Sequence, residues 1–566
     1  MKHYGPISGI ATYNKFFATA GYDNQLILWD AEKKIPIARG NHDHLVNQVV
    51  FSPDGTVIAS ASSDYSVRLW DVPSLRLKAI LHGHEDDVEM VAFSPDGDYL
   101  ATCSRDRKVR VYDLVGRLIA TLQGHLDDVI SVIWSLDGQN ILSSSDDGTI
   151  RRWDWQSIVQ LDCIELDGVQ TDALVITSDG NIIAGDDNGQ LILIQGGDKF
   201  TIKAHSAGVK RLILSEEFNR LVSLSYDRSL IVWTITSELT LEETCRTEFP
   251  AQVWARAAAF MSGEKIVTGT FGSSYALFDI STQLWDTKNI DPYLNYNAVV
   301  NYKGNIYSIG DAGLLYYNNN IVSNLGSLCN FLLPSERRLV TGGQLGIVFD
   351  AISGEHLYQF HSPINCGTLF KRNGQELAAF GTYTGEIFIL DLNTYPVKYI
   401  GTYTVHNNAI KGLASNSDYI FSVSASAQAA YIDINSLSVI NLINNAHDKI
   451  SNGCTRVDNG FASISRDLSL RLWESGETKA KVFQSPHNYS IKCIASDPSG
   501  RFIATGSYGG TIYIFDKKID EGKWIYGSRP TSVGISNITF SIEDNQFIAS
   551  SYDGKLHKIS IREQTI

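Results

Sequence analysis

The chain has little cysteine and methionine, and it lacks any long hydrophobic run. Its seven cysteines among 566 residues are scattered and odd in number, and no two form a CxxC pair. This usage argues against a disulfide framework or a cysteine-based metal site, and it indicates a reducing compartment. No apolar stretch is long enough to cross a membrane, and the N-terminal residues show no signal peptide. We therefore expect a cytoplasmic protein without a membrane partner.

The motifs of common catalytic sites are also missing. The chain contains no HExxH, no phosphate-binding Gly-rich loop and no Asp/His cluster with metal-ligand spacing. Its Gly-Gly and Asn-Gly pairs fall between predicted strands, where a turn explains them without a ligand. We therefore expect no enzyme activity, no metal and no cofactor.

Acidic residues outnumber basic ones in one half of the chain only. Residues 1–286 hold 24 Lys and Arg against 39 Asp and Glu, whereas residues 287–566 hold 23 of each, so the first half carries the whole net charge of −15. Non-specific nucleic-acid binding needs a basic surface, and an anionic membrane repels an acidic one. The imbalance excludes a general nucleic-acid clamp and favours a basic partner for the first half, although solubility alone also explains it.

An internal repeat of about 41 residues runs along the chain. Leu28-Trp29-Asp30 returns as Leu69-Trp70-Asp71 and as Arg152-Trp153-Asp154. Each unit alternates apolar and polar residues in short runs separated by turn residues, and no segment shows helical spacing, so the chain is predicted to be all-β. The third strand of each unit ends near one of fourteen anchors: Trp29, Trp70, Tyr112, Trp153, Ile194, Trp233, Phe278, Tyr317, Phe349, Leu390, Ile432, Trp473, Phe515 and Ile559.

Fourteen four-stranded units favour two rings of seven blades, because a single blade cannot bury both of its faces. The period contracts near residue 287, which predicts a first propeller over residues 1–286 and a second, more degenerate one over 287–566. An alternative stays open, in which a blade from one end of the chain completes the other ring.

The units resemble WD40 repeats, and the chain resembles the double seven-bladed proteins of that family. The family joins a His before the first strand, a Ser or Thr in the second, an Asp in the next turn and a Trp in the third. Five complete sets occur at matching spacing: His3, Thr19, Asp23, Trp29; His42, Ser60, Asp64, Trp70; His125, Ser143, Asp147, Trp153; His205, Ser223, Asp227, Trp233; and His447, Ser463, Asp467, Trp473. A sixth set (His84, Thr102, Asp106) ends in Tyr112. Because a hydrolytic triad needs only one copy, these repeated sets are predicted to be structural.

The resemblance also implies where a partner would bind. Contact positions in the family lie at the entry to the first strand and just before the turn Asp. In the first ring they give an aromatic and Arg crescent of Tyr22, Tyr226, Trp254, Arg256 and Phe271. It faces an acidic crescent of Asp87, Glu89, Asp128, Asp146, Asp172 and Asp187, which has Arg105 among its members. Aromatic and Arg residues dominate binding hot spots, so this arrangement predicts a partner segment with an apolar anchor and basic residues beside it. The alternative is that some of these aromatics pack between blades.

The second ring offers a different set of contact residues. Tyr383, Arg466, Tyr508 and Tyr552 occupy the turn positions, and Lys411 and Lys492 occupy the strand entries. A surface of cations and aromatics of this kind is suited to an acidic segment or a phosphate group.

These features predict a non-catalytic scaffold or sensor subunit that binds other proteins within a larger complex. Two alternatives remain. One is an actin-interacting cytoskeletal regulator of the double-propeller type, and the other is a structural subunit of an RNA-processing complex.

Overall fold

A computed structural model describes residues 1–236, 240–250, 252–290 and 295–561, and all regular structure in these ranges is β-strand. The described residues contain no helix, and therefore none that could span a membrane. The prediction of an all-β chain is confirmed. The chain divides into two compact units, Met1–Asp291 and Pro292–Ile566.

The first unit contains seven four-stranded sheets among its described residues, numbered here in chain order. Sheets 1 to 3 comprise β1 (Ile7–Tyr13), β2 (Phe16–Gly21), β3 (Gln25–Asp30), β4 (Ile35–Asn41); β5 (Val46–Phe51), β6 (Val57–Ser62), β7 (Val67–Asp71), β8 (Arg76–Leu81); and β9 (Val88–Phe93), β10 (Tyr99–Ser104), β11 (Lys108–Asp113), β12 (Leu118–Gln123). Sheets 4 and 5 comprise β13 (Val129–Trp134), β14 (Asn140–Ser145), β15 (Thr149–Asp154), β16 (Val159–Glu165); and β17 (Thr171–Ile176), β18 (Ile182–Asp186), β19 (Gln190–Gln195), β20 (Asp198–Lys203). Sheets 6 and 7 comprise β21 (Val209–Ser215), β22 (Arg220–Ser225), β23 (Ser229–Ile235), β24 (Leu241–Glu248); and β25 (Val253–Ser262), β26 (Lys265–Thr270), β27 (Ala276–Asp279), β28 (Leu284–Asp286).

The second unit contains six four-stranded sheets and one of three strands among its described residues. Sheets 8 to 10 comprise β29 (Ala298–Tyr302), β30 (Asn305–Ile309), β31 (Leu314–Tyr317), β32 (Asn320–Asn324); β33 (Cys329–Pro334), β34 (Leu339–Gly343), β35 (Ile347–Asp350), β36 (His356–Gln359); and β37 (Ile364–Arg372), β38 (Gln375–Thr382), β39 (Glu386–Asp391), β40 (Lys398–Thr404). Sheets 11 and 12 comprise β41 (Ile410–Ser415), β42 (Tyr419–Ser424), β43 (Ala429–Asp433), β44 (Val439–Ile443); and β45 (Ser451–Val457), β46 (Gly460–Ser465), β47 (Ser469–Trp473), β48 (Ala480–Gln484). Sheets 13 and 14 comprise β49 (Ile491–Ser496), β50 (Phe502–Ser507), β51 (Ile512–Asp516), β52 (Lys523–Ser528); and β53 (Ile535–Ser541), β54 (Gln546–Ser551), β55 (Leu556–Ser560).

Each sheet pairs consecutive strands in antiparallel order, and the core lies between neighbouring sheets. Within each unit the last sheet also packs against the first. A buried apolar cluster joins sheets 1 and 7, where the Thr12 hydroxyl donates to the Phe260 carbonyl at 2.7 Å. In the second unit, the Val299 N–H of sheet 8 donates to Asn537 Oδ1 of sheet 14 at 3.3 Å.

The side-chain network predicted from the repeat is present in the sheets that carry a complete set. In sheet 4, the Trp153 indole N–H donates to Ser143 Oγ at 2.9 Å, and this hydroxyl lies 2.8 Å from His125 Nε2. His125 Nδ1 in turn lies 2.9 Å from Asp147. The four other complete sets make the same contacts at 2.7–3.2 Å. The network satisfies polar groups that burial removes from water, so it stabilises each sheet.

Three sheets use the network in modified form. In sheet 3, Thr102 lies 2.7 Å from His84 Nε2, whereas the Tyr112 hydroxyl donates to the His82 carbonyl at 3.0 Å. Sheets 11 and 13 carry sets that the sequence pattern missed, because they lack the turn Asp and a polar residue two positions further on contacts the histidine Nδ1 instead. They are His406 with Ser422 and Gln428, and His487 with Thr505 and Thr511.

The His406 side chain predicts a pH dependence of stability. Burial lowers the pKa of His406 to about 4, although the hydrogen bond with Gln428 acts in the opposite direction. Between pH 6.5 and 4 the unfolded chain therefore binds a proton that the native state does not. Stability falls as the pH drops through this window, by about 3 kcal/mol at pH 4 for this one group. Chemical unfolding at pH 7 and pH 4.5 measures the loss.

The control for this prediction is a second histidine of the same unit. We expect His406→Asn to reduce the pH dependence of the unfolding free energy, while His487, whose pKa burial lowers to about 3, continues to contribute to it. His361 is half exposed and pairs with Glu386 at 3.0 Å, which raises its pKa, so His361→Asn is expected not to reduce it. Equal slopes in wild type and His406→Asn would contradict the assignment.

Candidate functional site

The first strand of most sheets is irregular at its second residue. In each of sheets 1 to 6, one residue of the first strand has no partner in the second strand. These residues are Ser8, Asn47, Glu89, Ile130, Asp172 and Lys210. A bulge of this kind leaves one residue outside the ladder and changes the direction of its side chain. The fold thus redirects one side chain from each of these six sheets.

These bulged residues line a cavity in the first unit, which we call the first-unit cavity. Its cavity volume is about 40 Å³, within about 450 Å³ of empty space that includes open solvent. All seven sheets of the unit contribute to its wall. The lining residues are Ser8, Tyr22, Asn47, Gln48, Glu89, Met90, Ile130, Asp172, Lys210, Arg211 and Arg256.

Two cations hold four of the predicted acidic residues in ion pairs. Lys210 Nζ lies 2.7 Å from Asp172 and also contacts Asp187. Although burial opposes it, these two carboxylates raise the pKa of Lys210. Arg105 in the same way bridges Glu89 and Asp128. The acidic and the cationic positions predicted from the sequence therefore lie together, and much of the acidic charge is neutralised locally.

The carboxyl groups of this region are crowded, including that of Asp128, which contacts Arg105. Burial raises the pKa of Asp128 to about 6, even though Arg105 opposes the shift. Burial and the nearby carboxylates of Asp172 and Asp128 raise the pKa of Asp146 well above its usual value. Carboxylates held this close together favour the arrival of a further cation, since a cation would let them ionise at lower cost.

The structure brings most of the predicted aromatic residues of the first ring together. The Trp254 ring lies 5.2 Å from Tyr22 and 5.5 Å from Phe271. The Arg256 guanidinium lies 6.0 Å from the Trp254 ring, and its Nε donates to the Tyr226 hydroxyl at 3.2 Å. Trp254, Phe271 and Tyr226 expose only 7, 6 and 9% of their surface, so most of their contact area faces other residues of the unit. Tyr22 and Arg256 are the partly exposed members that line the cavity.

An exposed leucine that the sequence pattern did not single out lies near the same end of sheet 4. Leu126 exposes 75% of its surface, and its backbone N–H donates to Asp147 at 2.9 Å. It precedes Asp127 and Asp128 at the entry to β13. A large apolar side chain in this position can contribute contact area to a partner.

Asn47, Lys210 and Arg211 are further lining residues that the sequence pattern missed. A usable signal exists for the first two, because each lies five residues after a network histidine, as Glu89 does after His84. Arg211 follows a bulged residue, and its position in the cavity depends on that bulge. Its side chain is considered separately below.

The predicted residues of the second unit form pairs between cations and aromatic rings. Lys411 Nζ lies 5.4 Å from the Tyr383 ring, and Lys492 Nζ lies 5.9 Å from the Tyr508 ring. Tyr552 stacks on Tyr508 at 6.5 Å. Lys411 and Lys492 are the bulged residues of their strands, as Lys210 is in the first unit. We call these five residues the second-unit cluster.

Arg466 and a buried acid complete the description of the second unit. Arg466 is half buried in the turn after β46, where its backbone N–H donates to the Ile450 carbonyl at 3.0 Å. Burial raises the pKa of Asp311 to about 6, and its carboxyl accepts amide hydrogen bonds from Asn295 at 3.0 Å and Asn297 at 2.7 Å. In the ranges that the structure describes, no group of three His, Cys, Asp or Glu side chains could hold a metal ion.

Comparison with protein families finds one repeat model. The model of the WD domain, G-beta repeat, matches residues 35–71, 75–113, 116–154 and 478–516. Each match begins at or near an outer strand and continues through the first three strands of the next sheet. Matches therefore occur in both units.

Similar curated proteins are found for parts of the chain. Ribosome assembly protein 4 of Saccharomyces cerevisiae is 49% identical over 59 residues, which cover 10% of this chain and 12% of that protein. Small ribosomal subunit protein RACK1 of Caenorhabditis elegans is 32% identical over 84 residues, covering 12% of this chain and 26% of that protein. The guanine nucleotide-binding protein subunit beta of Oryza sativa subsp. japonica is 26% identical over 363 residues, covering 62% and 68%.

The four repeat matches, the antiparallel four-stranded sheets and the recurring His, Ser or Thr, Asp and Trp network have a single explanation. The chain contains WD40 repeats.

Proposed function

We propose that this protein is a non-catalytic interaction scaffold within a larger assembly, built from two seven-bladed propellers over residues 1–286 and 287–566. The observation that carries the proposal is the first-unit cavity, where six bulges direct one side chain per sheet toward one open mouth. Closed rings are supported by the contacts that return from sheet 7 to sheet 1 and from sheet 14 to sheet 8. Rigid faces of this kind bind partners without large rearrangement.

The first propeller is proposed to bind a protein segment that carries basic residues beside an apolar anchor. Asp128 and Asp146 are crowded carboxyls whose raised pKa values a Lys or Arg of the partner would lower again. The excess acidic charge of residues 1–286 steers such a segment toward this unit. Leu126 and the exposed part of Tyr22 supply apolar contact area.

The second propeller is proposed to bind a separate segment that is acidic or phosphorylated. Lys411 and Lys492 lie against tyrosine rings, which hold both ammonium groups in place. Charge-assisted hydrogen bonds from these groups, and from Arg466 in the same unit, suit a carboxylate or a phosphate. A chain with two faces of different charge preference can hold two partners at once.

A second candidate function is that of a structural subunit in an RNA-processing complex. It is favoured by two relatives named for ribosome assembly and for the small ribosomal subunit. Contacts of the acidic first unit would then be with protein rather than with RNA. We place the protein in the cytoplasm, a reducing compartment in which its seven free cysteines would stay reduced.

The proposal is tested with two leucines of sheet 4 that lie at opposite ends of the sheet. Leu126 precedes β13 at the cavity end, whereas Leu136 follows β13 and is 54% exposed. We expect Leu126→Glu to weaken capture of a partner of the first unit by about tenfold or more, because it places a charge in an apolar contact. Leu136→Glu is expected to leave capture unchanged. Both variants are surface changes, so both should keep wild-type stability.

Quantified capture on the tagged full chain, with purified partner added back over a concentration series, measures the difference. Equal affinity of wild type and Leu126→Glu would count against the cavity end of sheet 4 as the docking face. Loss in Leu136→Glu alone would move the contact to the opposite end of the sheet.

A further inference from the structure

Arg211 is a partly buried cation whose side chain has no acidic hydrogen-bond partner in the described part of the chain. Its Nη1 contacts only the Met90 sulfur at 3.9 Å, and its buried Nε has no hydrogen-bond partner. Burial lowers the pKa of Arg211 to about 10, and no neighbouring carboxylate offsets the shift. Burial of an unpaired guanidinium is costly, and such a cost is typically retained where a ligand supplies the missing charge.

A second guanidinium lines the same cavity. Arg256 donates to the Tyr226 hydroxyl and lies against Trp254, but no described carboxylate hydrogen-bonds to it. Tyr226 and the nearby carboxylates of Asp172 and Glu89 raise the pKa of Arg256, but both carboxylates are ion-paired elsewhere, Glu89 with Arg105 and Asp172 with Lys210. Arg211 and Arg256 are thus the two cations of the cavity wall that make no hydrogen bond to a described carboxylate.

We infer that the first-unit cavity binds a single carboxylate, held by Arg211 and Arg256 and carried by the segment that docks on this unit. The inference rests on the proposed function and identifies the group of that segment which enters the cavity. Guanidinium groups match the planar geometry of a carboxylate. A dianionic phosphate fits less well, because Glu89 and Asp172 also line the wall and would repel the second charge.

The carboxylate has two possible sources with the same chemistry. It is either an acidic side chain of the partner or the carboxylate at its C-terminus. The basic residues expected beside it would face Asp128 and Asp146, which lie around Arg105 next to the lining residue Glu89, so the segment as a whole stays complementary to this acidic region.

Met90 provides a direct probe of this site. The chain has only three methionines, Met1, Met90 and Met261, so methyl NMR of the full-length protein gives three resolvable signals. Acetate titrated at constant ionic strength is expected to shift the Met90 methyl signal in a saturable way, because Arg211 contacts this side chain. Met261 lies near the far end of β25 and serves as the internal control.

Arg211→Leu is the matched variant, since it removes the charge without adding a methionine. We expect acetate affinity to fall by about tenfold or more, and thermal stability to stay equal or rise. An Arg211→Leu protein that binds acetate as wild type does would overturn the site. A large loss of stability would show that Arg211 is structural and would overturn it as well. Phosphate binding that equals or exceeds acetate binding would overturn the carboxylate assignment.

Capture of the purified partner distinguishes the scaffold function from the carboxylate site. It also distinguishes a side-chain carboxylate from the carboxylate at the partner's C-terminus. Capture by wild type that Arg211→Leu reduces about tenfold supports both proposals. Capture that is the same in both proteins keeps the scaffold function and overturns the carboxylate site. If acetate binds but Leu126→Glu captures the partner as well as wild type does, the proposed docking face is contradicted, and so is its link to the carboxylate site. If Arg211→Leu reduces capture, a partner amidated at its C-terminus identifies the source, because it keeps its affinity only when the carboxylate belongs to a side chain.

Discussion

Replacing Lys210 with methionine is expected to destabilise the first unit by about 3–5 kcal/mol, one of the largest effects of a single substitution in this protein. Lys210 is a buried ammonium whose side chain is 9% exposed, and it holds both Asp172 and Asp187. Methionine keeps most of the volume but leaves two carboxylates without their cation. Denaturant unfolding of the full chain, followed by fluorescence, measures the loss.

The neighbouring cation is the control for this prediction. Arg211 is equally enclosed but has no acidic partner, so Arg211→Leu is expected to cost nothing or to stabilise the unit. The triple variant Lys210→Met, Asp172→Asn, Asp187→Asn should recover most of the stability, because amides cost far less to bury than charges. A loss below about 1 kcal/mol for Lys210→Met would contradict the ion pairs described here.

Replacing Trp153 with alanine is expected to cost about 3–5 kcal/mol, because it opens a cavity and removes a hydrogen-bond donor. The Trp153 side chain is among the largest that are fully buried, and its indole N–H donates to Ser143. Trp153→Phe keeps most of the packing and loses only the donor, so we expect a loss of about 1–2 kcal/mol. Equilibrium unfolding of the two variants separates packing from hydrogen bonding.

A matched test of the network changes the Ser143 hydroxyl, which accepts the hydrogen bond from the Trp153 indole N–H. Ser143→Ala removes the shared partner of the Trp153 indole N–H and of His125 Nε2, whereas Thr102→Ser in sheet 3 keeps the hydroxyl that His84 contacts. We therefore expect Ser143→Ala to be the more destabilising change. If Trp153→Phe cost as much as Trp153→Ala, the hydrogen bond rather than the packing would dominate, and the expectation would be wrong.

Much of the fold was predictable because the same residue types recur at the same spacing. The five complete sets share one order along the chain and one position in the sheet, so each supports the interpretation of the others. His406 and His487 were missed because Ser426 and Gly509 stand at the position of the Asp, and Gln428 and Thr511, two residues further on, contact the histidine Nδ1 instead. The structure shows that the histidine and the hydroxyl are the constant part of the network in these two sheets.

The candidate site was predictable in location but not in its pairings. The sequence placed Arg105, Arg256 and the acidic residues at one end of the sheets, and the structure gathers most of them around one cavity. Lys210 pairs with Asp172, which is 38 residues away, and no local pattern indicates a bond between different sheets. The burial of Trp254 and Phe271 likewise depends on how sheets 7 and 1 meet. Exposure cannot be derived from residue type alone.

The central claim is that a partner docks at the mouth of the first-unit cavity. Hydrogen exchange of the full chain, with and without the captured partner, tests it most directly. The account predicts added protection in the segments that enter β9, β13 and β21 and in the turns just after β10 and β14, with none at the outer strands β12 and β16. Protection confined to the outer strands, with the cavity mouth unchanged, would contradict it.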